Sequence, residues 1–215
     1  AIWQGETLMS AMISVCKYSR SVVIALMLLV LAGCANKPTA PTYYTLKSET
    51  AGLPTEQQRL PAKLSIGLWP VELPDLLDRS GIVTLEQQNR VYISSQNIWA
   101  GDLGENLSAV ISKRLATRLG TDQLWSYPWE SRQAPDLELR IRIETMSGTL
   151  QGPVNLEARG TLRDNRDQKV VYSRPLAIQQ PVVGGGYDGY VATLNGLLAT
   201  LADQIAMDIS TAVGR

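Results

Sequence analysis

The stretch Leu137-Glu138-Leu139-Arg140-Ile141-Arg142-Ile143-Glu144 decides the fold class, because its apolar and charged residues alternate without a break. Successive side chains of a β-strand point to opposite faces, so one face of this strand is apolar and the other is charged. Such a strand is typical of an antiparallel sheet that packs on a core with one face only. Residues 154–162 alternate in the same way, and the turn-forming residues 164–167 separate them from a third segment at residues 169–178. The sequence therefore predicts a three-stranded antiparallel meander.

One helix is predicted before the meander in the chain and another after it. Asp102 and Glu105 resemble a capping box, and apolar residues recur at helical spacing over residues 103–119. A second helix is predicted over residues 190–213, after the glycines of residues 184–186, which we interpret as a flexible hinge. Two long helices packed on one side of a mainly antiparallel sheet form an α+β sandwich, and this is the fold class that we predict.

Shorter apolar segments complete the predicted domain. Residues 43–46 and 63–71 suit strands, and the second ends at Trp69-Pro70 because proline has no amide to donate to a sheet. Residues 82–85 and 90–94 are predicted to form a hairpin.

The first part of the chain is typical of an exported lipoprotein. Lys17 and Arg20 precede an apolar run at residues 22–31, which is about half of the ~20 residues that a membrane-spanning helix needs. Leu31-Ala32-Gly33-Cys34 then matches the lipobox, in which the cysteine thiol takes a diacylglyceryl group, the chain is cleaved before it and the new amine is acylated. We therefore predict that Cys34 is the lipidation site and that its acyl chains anchor the protein to a membrane.

These motifs divide the chain into three parts. Residues 1–33 are expected to comprise upstream residues and the signal peptide. Residues 34–42 are expected to be the lipidated cysteine and a polar, proline-containing tether with a reach of at most about 30 Å. Residues 43–215 are expected to form a single periplasmic α+β domain. Residue 35 is alanine and not aspartate, and in enteric-type lipoprotein sorting this favours the outer membrane.

The composition argues against most catalytic chemistry. The chain has no histidine, which removes the commonest general base and the commonest transition-metal ligand. Cys16 leaves with the signal peptide and Cys34 is acylated, so no free thiol remains as a nucleophile. The 20 basic and 20 acidic residues balance, so the charge gives no reason to expect nucleic acid as a partner. We expect no enzyme activity, no metal, and no cofactor apart from the covalent diacylglyceryl and N-acyl lipid.

Two pairs of aspartates are the remaining candidates for chemistry. Asp75 and Asp78 are interpreted as parts of a surface turn, although an envelope hydrolase that works through carboxylates stays open as an alternative. Asp164 and Asp167 are interpreted as turn formers, because their segment lacks the further acids of a calcium-binding loop.

Several motifs occur in the order that one lipoprotein family shows. They are the lipobox, Tyr43-Tyr44-Thr45-Leu46, Trp69-Pro70-Val71-Glu72-Leu73-Pro74-Asp75-Leu76-Leu77, Gly81-Ile82-Val83, Asn97-Ile98-Trp99-Ala100-Gly101-Asp102-Leu103 and Gly186-Tyr187-Asp188. In this order they resemble the PqiC-type lipoproteins, the ABC-type transport auxiliary lipoproteins of paraquat-inducible (Pqi) membrane-integrity systems. The sequence departs from the family's pattern at Leu76, where an aromatic residue is often found.

The resemblance implies a small outer-membrane lipoprotein that faces the periplasm. Its implied partner is a periplasm-spanning protein with mammalian-cell-entry (MCE) domains, in a system that moves lipid between the membranes and supports envelope integrity. Because MCE proteins form rings, we expect a homo-oligomeric ring of this chain, formed through exposed sheet edges or the loop at residues 74–79. The alternative is a lipoprotein that assembles or pilots an outer-membrane barrel or secretin. The residues expected to bind the partner are Trp69, Pro74, Asp75, Leu76 and Trp99.

Overall fold

The computed structural model describes residues 40–48, 60–61, 63–87, 89–129 and 134–214. The predicted signal peptide, Cys34 and most of the predicted tether lie outside these residues. In chain order the described residues form β1 (Thr42–Tyr44), β2 (Ile66–Leu68), β3 (Gly81–Gln87), β4 (Arg90–Trp99), α1 (Leu103–Leu119), β5 (Leu124–Ser126), β6 (Leu137–Gly148), β7 (Pro153–Asp164), β8 (Val170–Pro181) and α2 (Gly186–Val213).

The predicted meander belongs to a five-stranded sheet with the order β5-β2-β6-β7-β8. β6, β7 and β8 pair antiparallel, as the alternating sequence predicts. β2 lies between β5 and β6 and pairs parallel with both, so the sheet is mixed. β2 is also shorter than the predicted strand, and β5 is absent from the sequence prediction because its three partly buried or exposed residues show no alternation to detect.

A second sheet has three strands in the order β1-β4-β3. β3 and β4 form the predicted antiparallel hairpin, and both strands are longer than predicted, since β4 continues to Trp99. β1 pairs parallel with the last three residues of β4, which places Tyr44 opposite Trp99. β1 also begins at Thr42, one residue earlier than the predicted strand.

The two helices differ in how well the sequence predicts their first residue. Before α1, the Asp102 carboxylate accepts a hydrogen bond from the Glu105 amide at 2.7 Å, and Gly120 ends the helix in the left-handed conformation with a φ of 57°. α1 therefore has the predicted bounds. α2 begins at Gly186, earlier than the predicted residue 190. The glycines of residues 184–186 have φ values of 85°, 67° and 64°, which strain any residue with a Cβ atom. Their role as a hinge stays a prediction.

Both helices pack against the apolar side of the sheet, and the α+β fold class is confirmed. The aliphatic residues of β6 that the alternation assigns to the core are at most 2% exposed: Leu137, Leu139, Ile141 and Ile143. The same core includes side chains from both helices, among them Leu107, Ile111, Leu115, Leu194, Leu198, Leu201 and Ile205.

Two arginines of α1 are buried beside one acid of α2. Arg114 donates to the two carboxylate oxygens of Asp203 at 2.8 and 2.7 Å, and Arg118 lies 3.2 Å from the same carboxylate. The arginine side chains are only 5% and 4% exposed. This group fixes the two helices to each other through charge-assisted hydrogen bonds.

Candidate functional site

Three aromatic side chains cluster where β2 ends. Trp69 stacks on Tyr127, with ring centroids 4.3 Å apart and an interplanar angle of 16°. Trp129 meets both rings edge-on, at 5.4 Å from Trp69 and 5.3 Å from Tyr127. Tyr127 is 45% exposed, whereas Trp69 and Trp129 are half-buried. The cluster therefore holds its rings in favourable stacking geometry and leaves one side open to solvent.

Polar residues behind the cluster fix the orientation of Trp69. The guanidinium carbon of Arg140 lies 4.2 Å from the centroid of the Trp69 ring, within the range of a cation–π contact. The Trp69 indole N–H donates to Glu138 at 3.1 Å, and the other carboxylate oxygen of Glu138 accepts from the Asn165 amide at 2.9 Å. Glu138 and Arg140 belong to the charged face of β6, so the water-facing side of that strand supports the aromatic cluster.

Gly67 of β2 makes room for these rings. A Cβ atom at this position would lie 2.5 Å from Cγ of Pro135 and 2.8 Å from Cζ3 of Trp129. Carbon atoms that are not bonded to each other prefer about 3.5–4.0 Å. Only glycine therefore lets Trp129 lie this close to the strand.

A cleft of about 440 Å³ lies between Trp69 and the first turn of α1, and we call it the Trp69 cleft. Ser108 joins its two walls, because the Ser108 hydroxyl accepts from the Val71 amide at 2.9 Å and donates to the Gly104 carbonyl at 2.7 Å. The apolar and aromatic lining includes Leu68, Trp69, Val71, Leu73, Ala109 and Tyr127. The acidic lining consists of Asp78, Asp102 and Glu105. The cleft thus combines an apolar surface with an acidic rim.

The turn at residues 74–79 borders this cleft, because Leu73 and Asp78 both line it. The Pro74 carbonyl accepts a hydrogen bond from the Leu77 amide at 2.8 Å, which closes the turn. Leu77 is 5% exposed and holds the turn on the core, whereas Leu76 is 41% exposed.

The predicted partner-binding residues divide into two groups. Trp69 lines the cleft, and Pro74, Asp75 and Leu76 lie in the turn beside it, with Asp75 and Leu76 exposed. Trp99 is only 7% exposed and lies in the core, so its side chain is not available at the surface.

Sequence reasoning did not identify the residues that surround Trp69. Tyr127 and Trp129 lie far from Trp69 in the chain, and their only sequence signal is the local concentration of aromatic residues at 125–129. Their contact with Trp69 depends on the parallel pairing of β2 with β5, which the sequence does not predict.

Asp164, the last residue of β7, and Asp167, in the turn that follows, interact with residues of the same turn. Hydrogen bonds from Arg166 lower the pKa of Asp164 to about 2, and hydrogen bonds from Lys169 lower the pKa of Asp167. Within the parts of the chain that the structure describes, no three acidic, histidine or cysteine residues are grouped so as to hold a metal ion.

Residues 44–206 match the family described as the ABC-type transport auxiliary lipoprotein component. The chain belongs to this family. The resemblance to PqiC-type lipoproteins is thereby confirmed, because the chain is also 27% identical over 192 residues to the intermembrane transport lipoprotein PqiC of Escherichia coli K12. That alignment covers 87% of this chain and 96% of PqiC. The PqiC protein of Shigella flexneri gives the same identity and coverage.

Solved structures share the fold at lower sequence identity. A Xanthomonas campestris protein is similar with a TM-score of 0.62 at 14% identity, over 80% of this chain and 94% of that protein. An uncharacterised protein gives a TM-score of 0.65 at 23% identity, over 79% of this chain and 99% of its own length. In the described part of this chain, neither helix combines the length and the hydropathy needed to span a bilayer.

Proposed function

We propose that this lipoprotein is anchored by acyl chains on Cys34 at the periplasmic face of the outer membrane. There it acts as an auxiliary component of an MCE-type system for intermembrane lipid transport and supports envelope integrity. The observation that carries the proposal is the alignment with PqiC, named an intermembrane transport lipoprotein, over 87% of this chain. The lipobox just before the domain supports the anchor.

The proposed role is structural and not catalytic. The sequence has no histidine, and its two cysteines are assigned to the signal peptide and to the lipid anchor. The described surface instead offers a fixed, partly apolar cleft. Such surfaces suit binding, because a preorganised aromatic side chain loses little conformational entropy when a partner covers it.

We propose that the MCE-domain partner docks at the Trp69 cleft and the adjoining turn. Stacked aromatic rings with one open side are frequent anchors at protein interfaces. Leu76 extends the apolar surface out of the turn at 41% exposure, and Asp75 and Asp78 add charge at the rim. A partner segment with an apolar side chain flanked by basic residues would complement this arrangement.

We propose further that the chain forms a homo-oligomeric ring through a sheet edge. β8 is the last strand of the five-stranded sheet, and an exposed edge strand can pair with another chain. Val170 and Val171 at its start are 60% and 41% exposed. Pro175 cannot donate to a partner strand, which limits the pairing to the first half of β8.

The experiment that tests the function is purification of the full-length protein, with a C-terminal tag, from separated native membranes. We expect the protein in the outer-membrane fraction together with an MCE-domain protein, and we expect Cys34→Ala to abolish the membrane association. Recovery of a barrel or a secretin without an MCE-domain protein would contradict the proposal and favour an assembly or pilot factor.

A further inference from the structure

The hairpin formed by β3 and β4 exposes apolar side chains at its end. We define the hairpin tip as residues 85–87 and 89–93. Val91, Tyr92 and Ile93 are consecutive and are 38%, 42% and 41% exposed. Since successive strand residues point to opposite faces, exposure of all three means that both faces of the hairpin tip project away from the core. Exposed apolar residues that lie next to each other are typical of surfaces that contact a partner or a membrane.

The first residue of β1 is directed towards the hairpin tip. β1 runs parallel to β4, with Thr42 opposite Asn97. The first residue of β1 therefore faces the side of β4 on which the hairpin tip lies. Tyr92 precedes Asn97 by five residues, a distance of about 17 Å along an extended strand. The segment from Cys34 to Tyr43 can span about 30 Å at most, so acyl chains on Cys34 can lie level with the hairpin tip.

Hydrogen bonds hold the start of the domain firmly. The Leu46 amide donates to the side-chain oxygen of Asn106 on α1 at 2.7 Å. The Lys47 amide donates to the side-chain oxygen of Asn195 on α2 at 3.0 Å. A membrane anchor that precedes this segment therefore acts on the folded domain through both helices.

Tyrosines connect the hairpin tip with the end of β1. The ring of Tyr44, the last residue of β1, lies 6.3 Å from the ring of Tyr187. Tyr187 and Tyr92 line a common open cleft of about 500 Å³. Tyrosine is enriched where membranes meet water, because its ring is apolar and its hydroxyl group stays hydrated.

We infer that the hairpin tip forms a second contact with the lipid surface to which Cys34 anchors the protein. The inference rests on the proposed lipid anchor. The charges at the hairpin tip do not prevent contact with lipid, because Arg90 and Glu86 form an ion pair at 2.7 Å. A lipid surface fits better than a folded partner, because the exposed residues lie on both faces of a narrow hairpin, and both faces can enter a headgroup layer together.

The second contact would fix the orientation of the domain. β4 runs from the hairpin tip to Trp99, about 30 Å away, and α1 begins shortly after it. The Trp69 cleft is built partly from the first turn of α1, so it lies at the end of β4 away from the hairpin tip. An anchor alone allows the domain to rotate on its tether, whereas an anchor with the hairpin tip would direct the cleft into the periplasm.

The test uses the acylated full-length protein reconstituted in vesicles of phosphatidylethanolamine with a minority of phosphatidylglycerol. Cys34 is acylated and Cys16 is removed with the signal peptide, so a new cysteine can be labelled selectively with a polarity-sensitive fluorophore. Ile93→Cys places the label on the hairpin tip, and Ala100→Cys places it on an exposed residue at the other end of β4. Mass spectrometry verifies the acyl chains, and circular dichroism verifies the fold.

Interfacial elements insert about 5–10 Å into the headgroup boundary, so nitroxide-labelled lipids should reduce the fluorescence at position 93 by roughly twofold. The label at position 100 should remain unquenched. Adding Val91→Ser and Tyr92→Ser to the Ile93→Cys protein should remove the quenching.

Acylated, vesicle-bound protein with no quenching at position 93 would overturn the inference and leave the proposed anchor intact. Equal quenching at both positions, or burial of the label between copies of the chain, would also overturn it. Protein without acyl chains would contradict the anchor itself and the inference with it.

Discussion

The hydroxyl group of Tyr190 donates a hydrogen bond to the main-chain carbonyl oxygen of Val83 at 3.1 Å, and both residues are buried. This bond connects α2 to β3, and so it joins the helical layer to the three-stranded sheet that carries the hairpin tip. Tyr190 is only 1% exposed, and burial raises its pKa above the ordinary value. The phenol therefore stays protonated in the folded chain at a pH where it would ionise in the unfolded chain.

The stability of the protein should consequently fall at alkaline pH. An unfolded tyrosine titrates near pH 10, so the contribution of Tyr190 is complete below about pH 10 and decreases as the pH rises towards the folded pKa. Tyr190→Phe should weaken this dependence, while it lowers the free energy of unfolding at neutral pH by about 1 kcal/mol because Val83 loses its donor. Urea unfolding at several pH values measures both effects. Tyr43→Phe, at a residue that is 64% exposed, is the control. If the free energy of unfolding of Tyr190→Phe changed with pH in parallel with that of the wild type, the prediction would be contradicted.

Loss of the acid between the helices should be strongly destabilising. Asp203→Ala leaves Arg114 and Arg118 without the carboxylate that they share, and breaking a buried ion pair costs about 3–5 kcal/mol. Glu86→Ala removes an exposed pair with Arg90 and should cost less than about 1 kcal/mol. Chemical denaturation of the two variants gives the comparison, and equal losses would show that the buried group contributes no more than a surface pair.

Gly67→Ala should disturb the aromatic cluster. The added methyl group overlaps Pro135 and Trp129, and such overpacking costs about 1–3 kcal/mol. Near-ultraviolet circular dichroism should change, because Trp69 and Trp129 contact each other directly. Gly101→Ala, where no atom lies within 4 Å of the new Cβ, is the matched control. An unchanged aromatic spectrum in Gly67→Ala would show that the cluster does not depend on this close approach.

Leu76→Asp should weaken the proposed docking without affecting the fold. The side chain is 41% exposed, so a charge there is tolerated in the free protein but is desolvated under a partner. We expect about a tenfold loss of affinity for the MCE-domain protein in surface plasmon resonance. Met207→Asp, at a residue that is 49% exposed on α2, should bind like the wild type. Equal affinities of all three proteins would remove the turn from the docking surface.

Local patterns predicted the elements whose formation depends on neighbouring residues. α1 has both of its end signals, Asp102 and Gly120, within or next to the helix itself. The antiparallel strands of the meander follow one another in the chain, so alternation and a turn are enough to predict their pairing.

The features that were not predicted depend on long-range parallel pairing. β5 has three residues and no alternation, and its position beside β2 is set by the tertiary structure. For the same reason the sequence identified Trp69 as a candidate but not the stack with Tyr127. Trp99 stood out as an aromatic residue in a family motif, but no pattern distinguished an exposed tryptophan from a buried one.

The most direct test of the account is a photo-cross-link from the Trp69 cleft in living cells. A photoreactive phenylalanine derivative replaces Tyr127, which is 45% exposed and stacked on Trp69, and a second protein carries it in place of Met207 as the control. We predict a cross-linked product that contains an MCE-domain protein from position 127 and not from position 207. A product with a barrel or a secretin from position 127, or cross-linking to the MCE-domain protein from position 207 alone, would contradict the account.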